Sequence, residues 1–369
     1  MNSKERKSVC LLINTLDSGG AEKVCVTIGN ELAKKRYQVD LWVRDKKETT
    51  LSKIVDPQIN ISYLGSKRVR QSIIPLAKLL RSRNPEIILV FDLEFLVIIH
   101  FLKKFYNYNF KIIFRSINTL SISYSDRRGI WGRVVWFPLI KYFLGRCDVI
   151  IAQSSGMKKD MIISFNISES KIITIHNPAV NLQLNGYDHE HINNEFEFLF
   201  VGRLNAPKGL FYMIDAFNIA LQKEPKLRLT LVGEGPEKAK IQTKIHELNL
   251  DKSIILEGYQ SNPISYYKRA KATLLTSLYE GFPNVLVESI AVGTPVISFN
   301  CPSGPLDIIE PNINGILVEH LNVQGIADAI INVAHGKIGF EKQKVKASAI
   351  KFDLSTIIKQ YEEVLFQPQ

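Results

Sequence analysis

Short runs of consecutive apolar, often β-branched residues recur along the chain, and longer stretches with helical spacing of apolar positions lie between them. In the first half the strand-length runs are SVCLLIN (8–14), QVDLWV (38–43), EIILVF (86–91), KIIFR (111–115) and DVIIA (148–152). Apolar on successive positions, they suit strands covered on both faces, the condition of a parallel sheet with helical crossovers. Segments 21–35 and 73–83 carry the helical period. From Pro178 to Glu195 the chain is polar, rich in Asn and His, and follows neither period, which predicts a linker. The pattern then restarts with FEFLFV (196–201), LRLTLV (227–232), SIILE (253–257), ATLL (272–275) and PVISF (295–299). The expected fold class is α/β: two doubly wound, Rossmann-like domains covering 1–180 and 196–353, joined by a linker at 181–195. Ligands bind such sheets beyond the carboxyl ends of the strands, so a cleft where the domains face each other is the expected site.

The longest apolar candidate for a membrane span, Ile87 to Phe105, is interrupted by Asp92, Glu94 and His100. Charges at that depth in a bilayer are costly, so a buried strand followed by a helix is the better reading and no span is expected. The apolar run near the start, Val9 to Ile13, is too short for a secretory signal and reads as a first core strand. Cys10, Cys25, Cys147 and Cys301 are widely spaced and set in apolar surroundings, which predicts buried thiols in a reducing cytoplasm rather than a disulfide or zinc framework.

The net charge of +11 is unevenly spread. Residues 1–180 hold 29 Lys+Arg against 15 Asp+Glu, a surplus of 14, whereas residues 181–369 hold 18 against 21. A basic half joined to a near-neutral half suggests an anionic partner for the first, and a merely solvated basic surface fits the same count. No helix-turn-helix, zinc-finger or aromatic RNA-reading signature accompanies the charge, which speaks against nucleic acid. Around Arg127-Arg128 and from Trp131 to Arg146, Trp131, Trp136, Phe137, Tyr142 and Phe143 interleave with Arg133, Lys141 and Arg146. On a helix, kinked at Pro138, that mixture suits an anionic membrane interface, while core packing accounts for the aromatics equally well.

Three segments carry candidate chemistry. Gly19-Gly20-Ala21-Glu22 follows the first strand and opens a helix, where backbone N–H groups favour anions; an ordinary tight turn explains the pair as well. Val201-Gly202-Arg203 closes the first strand of the second half, and Lys208-Gly209 opens the next helix. Two cations at a strand's carboxyl end suit a departing diphosphate, against the plainer alternative of solvated surface cations. In the segment 278–288, LYEGFPNVLVE, a glycine marks a turn and Pro283 is placed as the first helical residue of a helix ending at Gly293. Asn284 and Glu288 share a face of that helix and Glu280 stands just before it. A carboxylate can accept two hydrogen bonds from a vicinal diol, and the helix start can cradle phosphate. The pattern suits a ligand with sugar at both ends and phosphate in the middle; a capping acid with a solvated Glu is the plainer alternative.

Together these segments resemble glycosyltransferase family 4, the retaining GT-B enzymes, over nearly the whole chain, in the branch that builds bacterial surface polysaccharide. The matching stretches are GGAEK (19–23), VGRLNAPKG (201–209), LVGEGP (231–236), EGFPNVLVES (280–289), GTPVIS (293–298) and CPSGPLDII (301–309). The resemblance implies that Arg203 and Lys208 bind the donor diphosphate, Glu288 the nucleotide ribose, and Glu280 the transferred sugar near its reacting carbon. Backbone N–H groups from Gly281, Phe282, Pro283, Asn284 and Val285 would help hold sugar and phosphate, although Pro283 itself has none to give. Gly258 and Tyr259 resemble the loop that contacts the base, and Gly20 would approach the phosphates from the first domain. A helix over 354–369 would cross back to that domain. The EGFPN spelling, where many members have Gly at position 283, marks a subfamily. The family often carries a histidine after the fourth or fifth strand of its first domain. Here that region reads Phe114-Arg115-Ser116-Ile117-Asn118, so Arg115, Ser116 and Asn118 are the acceptor-side candidates.

What the resemblance implies is transfer of a hexose or N-acetylhexosamine from a nucleotide sugar, commonly a UDP-sugar, with retained anomeric configuration and no metal. The acceptor would be a glycan, typically linked to a lipid diphosphate, in lipopolysaccharide or capsule synthesis. The enzyme would be peripheral on the inner face of the cytoplasmic membrane. Alternatives from other classes are a non-catalytic sugar-nucleotide-binding protein, supported by the missing histidine, and a nucleic-acid-binding protein, supported by the basic half alone.

Overall fold

A computed structural model describes residues 7–17, 19–47, 49–123, 132–179 and 196–367, the side chains of 132 and 133 excepted. The predicted linker 181–195 and the pair Arg127-Arg128 with Trp131 lie outside the described residues. The chain divides into two compact units, one of Met1–Val180 with Leu354–Gln369 and the other of Asn181–Asp353.

Unit 1 alternates strands and helices: β1 (Ser8–Ile13), α1 (Gly20–Lys34), β2 (Gln38–Val43), β3 (Asn60–Tyr63), α2 (Ile73–Arg83), β4 (Ile87–Val90), α3 (Leu93–Tyr106), β5 (Lys111–Arg115), α4 (Phe137–Leu144), β6 (Val149–Ala152), α5 (Ser155–Phe165) and β7 (Ile172–Thr174). Its strands form one sheet in the order β3-β2-β1-β4-β5-β6-β7, all neighbours parallel. β1, β4 and β6 are buried along nearly their whole length, which is why their sequences are unbroken apolar runs. On one face, Val24, Ile28 and Leu32 of α1 meet a core that also takes in Ile357, Ile358, Tyr361 and Leu365 of a late helix, Leu354–Phe366. On the other face, Leu76 and Leu80 of α2, Phe95 and Ile99 of α3, Ile140 and Leu144 of α4, and Met157 and Met161 of α5 form a second core layer. Four helix N- or C-terminal turns of this unit use Asn or Ser for local reasons: Asn84, Asn107 and Asn166 take the left-handed conformation at helix ends, and the Ser154 hydroxyl accepts the Met157 N–H at 3.2 Å.

Unit 2 contains β8 (Glu197–Val201), α6 (Leu210–Lys223), β9 (Arg228–Val232), α7 (Lys238–Glu247), β10 (Ile254–Gly258), α8 (Ile264–Arg269), β11 (Ala272–Leu275), α9 (Asn284–Ala291), β12 (Val296–Phe299), α10 (Pro305–Ile308), β13 (Gly315–Val318), α11 (Val323–Ala334) and α12 (Lys342–Ser348). The sheet order is β10-β9-β8-β11-β12-β13, again parallel throughout. The last helix, α13 (Leu354–Phe366), belongs to unit 1.

One local expectation needs correcting. Pro283 precedes α9 instead of opening it, and its carbonyl accepts the Leu286 N–H at 3.0 Å. At Pro138 the helical run changes type: a wide helical turn, Gly132–Trp136, gives way at Phe137 to α4, whose first turn holds Pro138. The four cysteines are all free and buried.

Candidate functional site

In a parallel sheet every strand delivers its following loop to the same edge, and in unit 2 that edge gathers the predicted donor residues. The loops after β8, β9 and β10 are tied in a row. The Gly202 N–H donates to the Val232 carbonyl at 2.9 Å, and the Gly233 N–H to the Gly258 carbonyl at 2.8 Å. Gly233 has to be glycine, because a Cβ there would come within 1.8 Å of the Gly202 carbonyl oxygen. Arg203 stands exposed at the end of β8 and makes no ion pair among the described residues. Tyr259 is exposed beyond β10, next to Gly258.

A short 3-10 turn, Ala206–Lys208, then carries the chain into α6. Gly209 holds φ at +60°, and a Cβ on it would lie 2.1 Å from the Thr276 carbonyl oxygen. The Thr276 hydroxyl in turn donates to the Gly209 carbonyl at 3.0 Å, and the Leu278 N–H to the Pro207 carbonyl at 2.8 Å. These bonds weld the loop after β8 to the loop after β11. As a result the Lys208 ammonium meets Glu280 at 2.6 Å, and the Ser277 hydroxyl donates to the same carboxylate oxygen at 2.6 Å. Both partners are mostly covered, with the Lys208 side chain 22% and the Glu280 side chain 11% exposed.

The loop after β12 closes on the same place. The Glu280 N–H donates to the Pro302 carbonyl at 3.1 Å, and a Cβ on Gly304, whose φ is +99°, would strike the Pro283 ring at 2.4 Å. Gly281, Phe282 and Pro283 are buried, and the Phe282 ring packs edge-on against Phe352. Asn284 and Val285, half-buried, open α9. One turn on, Glu288 accepts a hydrogen bond from the Tyr267 hydroxyl at 2.9 Å. Tyr267 is fully buried, and its burial together with the Glu288 carboxylate pushes its phenol well above the usual range, so it stays a donor. Burial, reinforced by Glu280, likewise raises the Cys301 thiol, which remains protonated beside the site.

Unit 1 has a carboxyl edge of its own. Gly20 opens α1 there, exposed, and Glu22 in the first turn accepts from the Thr15 hydroxyl at 3.3 Å. Asp92, at the end of β4, accepts the Asn14 N–H at 2.9 Å. Burial first, then the nearby Glu22 and Glu94 carboxylates, raises Asp92 to about 7 against the pull of Asn14 and Arg44. A carboxyl titrating near neutrality at a strand's carboxyl end can hold or release a proton. The sequence signal for it was visible: an acid immediately after an unbroken apolar run.

Arg115 does not fit the acceptor-side reading. It is fully buried, lies over the Phe91 ring, and donates to the Tyr361 hydroxyl at 2.8 Å and to the Asn177 side-chain carbonyl. Ser116 is buried too: its hydroxyl donates to the Asn118 carbonyl at 2.9 Å, and its own carbonyl accepts from Gln153. A guanidinium so enclosed braces α13 against β5 and has no surface with which to meet a sugar. Asn118 alone of the three is exposed. Sequence reasoning missed Tyr267, Ser277 and Asp92; the partners of Tyr267 and Asp92 lie 21 and 78 residues away, whereas Ser277 reaches Glu280 only 3 residues on.

Among the described residues no group of three or more His, Cys, Asp or Glu is placed to hold a metal ion, and no helix is long and apolar enough to cross a membrane. Two family models match consecutive parts of the chain: "Glycosyltransferase Family 4" over residues 18–180 and "Glycosyl transferases group 1" over residues 187–351. The N-acetylgalactosamine-N,N'-diacetylbacillosaminyl-diphospho-undecaprenol 4-alpha-N-acetylgalactosaminyltransferase of Campylobacter jejuni is 28% identical over 92% of this chain and 94% of its own length. The lipopolysaccharide 1,6-galactosyltransferase of Escherichia coli is 33% identical over 56% of this chain. The matches span 57% of the Escherichia coli protein, and 56% of an uncharacterised glycosyltransferase of Methanocaldococcus jannaschii. Among solved structures, Anabaena HepE in complex with UDP and glucose superposes with a TM-score of 0.81 at 18% identity, covering 98% of this chain and 99% of that one. The apo lipopolysaccharide outer core galactosyltransferase WaaB superposes at 0.78 and 22% identity over 97% and 99%. With two Rossmann-like units in the GT-B fold and family models matching both of them, the chain belongs to glycosyltransferase family 4.

Proposed function

We propose that this protein transfers a hexose or N-acetylhexosamine from a nucleotide-diphosphate sugar, a UDP-sugar, to a hydroxyl group of a lipid-diphosphate-linked glycan in surface-polysaccharide synthesis. The observation that carries the reading is the Lys208–Glu280 pair, held at 2.6 Å on the carboxyl edge of unit 2 beside the start of α9, with Glu288 one helix turn further on. Arg203 and Lys208 are the cations for the diphosphate. They stabilise the charge that grows on it as the bond to the anomeric carbon breaks. Glu288, steadied by Tyr267, accepts from the ribose hydroxyls, and Glu280 accepts from the sugar being transferred. The acceptor oxygen bonds to the anomeric carbon on the face that the diphosphate leaves, and the acceptor proton passes to the departing diphosphate. The anomeric configuration is therefore retained. The positive charge comes from side chains, so EDTA leaves turnover unchanged.

Support for donor and acceptor comes from the relatives: UDP in the HepE complex, and a diphospho-undecaprenol acceptor in the name of the Campylobacter enzyme. On this reading the protein works as a peripheral enzyme at the inner face of the cytoplasmic membrane. Calorimetric titration with UDP, GDP, ADP and TDP tests the donor site. Selective binding of one nucleotide, weakened by Arg203→Ala, Lys208→Ala and Glu288→Gln, is the expected result. Indifference to all three substitutions would sink the site assignment. The anomeric proton coupling of the product, read by NMR, decides retention.

A further inference from the structure

Asp92 occupies the position that precedes α3, where an aspartate ordinarily turns back to cap its own helix. Its backbone is extended, as a cap requires, yet its side chain accepts from none of the first-turn N–H groups of α3. The carboxyl reaches across to the neighbouring strand instead, where its Oδ2 accepts the Asn14 N–H at 2.9 Å. Both residues are fixed from below: Leu12 and Val90 are paired between β1 and β4, and the Phe91 N–H donates to the Leu12 carbonyl at 3.0 Å. Asn14 is held from its other side by Arg44, whose Nε donates to the Asn14 side-chain carbonyl. The Arg44 Nη1 donates in turn to the Ser66 carbonyl at 2.7 Å. The Asp92 carboxyl is therefore firmly placed and half-buried, and among the described residues nothing donates to its second oxygen.

The groups around it are acidic or already engaged. Glu22 of α1 folds back over Gly19, where a Cβ would come within 2.2 Å of its carboxylate. Glu22 and Glu94 both push Asp92 upward, and neither Asp92 nor Glu22 forms an ion pair among the described residues. Two cations of this edge are committed to neutral partners: Arg44 to Asn14 and the Ser66 and Lys67 carbonyls, Arg115 to Tyr361 and Asn177. A ligand rich in hydroxyl groups satisfies such a place. A hydroxyl donates to the open carboxyl oxygen and can itself accept from the start of α3, which no side chain caps. A ligand group with a negative charge of its own would meet these carboxyls at close range.

We propose that Asp92 is the residue of unit 1 that binds the acceptor sugar, through a ring hydroxyl held by its open oxygen, and that the sugar it selects is uncharged. This deepens the function proposed above, on which it rests, by assigning an acceptor-side residue where Arg115 and Ser116 are enclosed. Uronic acids and sugar phosphates are turned away by Glu22 and Glu94 beside it. The role of Asp92 is to hold and orient. The acceptor proton still passes to the departing diphosphate, and no proton ends on Asp92. A hydroxyl donates more strongly to a carboxylate than to a neutral acid, so acceptor binding tightens as pH rises through about 7, where Asp92 ionises. The groups that face Asp92 are Glu22 and Cys25 of α1, Glu94 of α3 and Arg44 after β2. Burial keeps the Cys25 thiol protonated and raises Glu22 as well.

Transfer assays on the full chain test the assignment, with UDP-glucose, UDP-galactose, UDP-N-acetylglucosamine and UDP-N-acetylgalactosamine as donors. The acceptors are short-chain prenyl diphosphates bearing glucose, galactose, N-acetylglucosamine, N-acetylgalactosamine or glucuronic acid. Turnover is expected with a neutral acceptor, and the glucuronic acid acceptor is expected to have a kcat/KM lower by about 100-fold or more. Asp92→Asn is expected to raise the acceptor KM about 10–100-fold while UDP affinity stays within about twofold of the wild type. The wild-type acceptor KM is expected to fall about tenfold between about pH 6 and pH 8, following the ionised fraction of a carboxyl that titrates near 7. In Asp92→Asn that fall is absent. Glu22→Gln is expected to narrow the discrimination against glucuronic acid about fivefold or more. Thermal melts confirm that each variant folds, and the wild-type panel and Glu22→Gln carry the test if Asp92→Asn does not. Equal use of charged and neutral acceptors overturns the proposal, as does an acceptor KM and pH profile unchanged in folded Asp92→Asn. So does a chain that binds UDP and turns over no neutral acceptor. A chain that binds no nucleotide removes the transferase reading itself, and the UDP titration tells the two failures apart.

Discussion

Lys208 and Glu280, 72 residues apart in the chain, share a 2.6 Å contact that the welded loops after β8 and β11 enforce. The pair is largely covered, so removing one member leaves the other short of a partner in a poorly solvated place. Lys208→Ala should destabilise unit 2 by about 1–3 kcal/mol, and the double substitution with Glu280→Ala should cost less than the sum of the singles. A double-mutant cycle by urea unfolding measures that coupling. A coupling indistinguishable from zero would mean that the pair is incidental.

Tyr267 aims its hydroxyl at Glu288 from the interior, 2.9 Å away. Tyr267→Phe removes a hydrogen bond to a charged group and should cost about 1.5–3 kcal/mol of stability. If that bond also sets the direction of Glu288, nucleotide affinity falls several-fold in calorimetry. Lower stability with unaltered affinity would separate the orientation of Glu288 from donor binding.

Gly209 and Gly336 make a controlled comparison, since both have left-handed backbones, with φ of +60° and +68°. A Cβ on Gly336 meets nothing within 4 Å, whereas one on Gly209 would press to 2.1 Å from the Thr276 carbonyl oxygen. Gly336→Ala should therefore cost only the conformational penalty, about 1–2 kcal/mol. Gly209→Ala should cost clearly more and should weaken nucleotide binding by shifting Lys208. Equal costs in denaturant unfolding would show that the loop yields freely.

Asp92, raised to about 7, makes a signed prediction for pH. The unfolded chain ionises this carboxyl near pH 4 while the folded protein keeps it protonated. Its contribution to stability is therefore fully present below about pH 4 and is lost as pH rises to about 7. Asp92→Asn lacks that loss. Its melting temperature relative to the wild type should rise between pH 5 and pH 8. A constant difference across that range would show that Asp92 is ionised throughout.

The central strands were legible because burial on both faces writes itself as an apolar run: 38–43, 111–115 and 272–275 match β2, β5 and β11 residue for residue. The strands missed are β3, β7 and β13, each at an edge of its sheet and only partly buried. An edge strand keeps one side toward solvent, which weakens the continuous signal, although β10, an edge as well, was legible as SIILE. The same reasoning divides the site residues. Arg203, Lys208, Glu280 and Glu288 were candidates from their spacing, their turn residues and the family resemblance, and the structure brings Lys208 and Glu280 into contact. Whether Arg115 faces a ligand or a core depends on Tyr361 and Asn177, 246 and 62 residues away, and no local pattern encodes that.

The membership of α13 in unit 1 sets the order in which the protein can assemble during synthesis. Ile357, Tyr361 and Leu365 complete the core layer under α1, yet they leave the ribosome after every residue of unit 2. Unit 2 is continuous in sequence and can close its core while translation proceeds. The first 180 residues must wait with one flank of their sheet uncovered, an exposed apolar surface of the kind that recruits chaperones. The half made first is the half finished last.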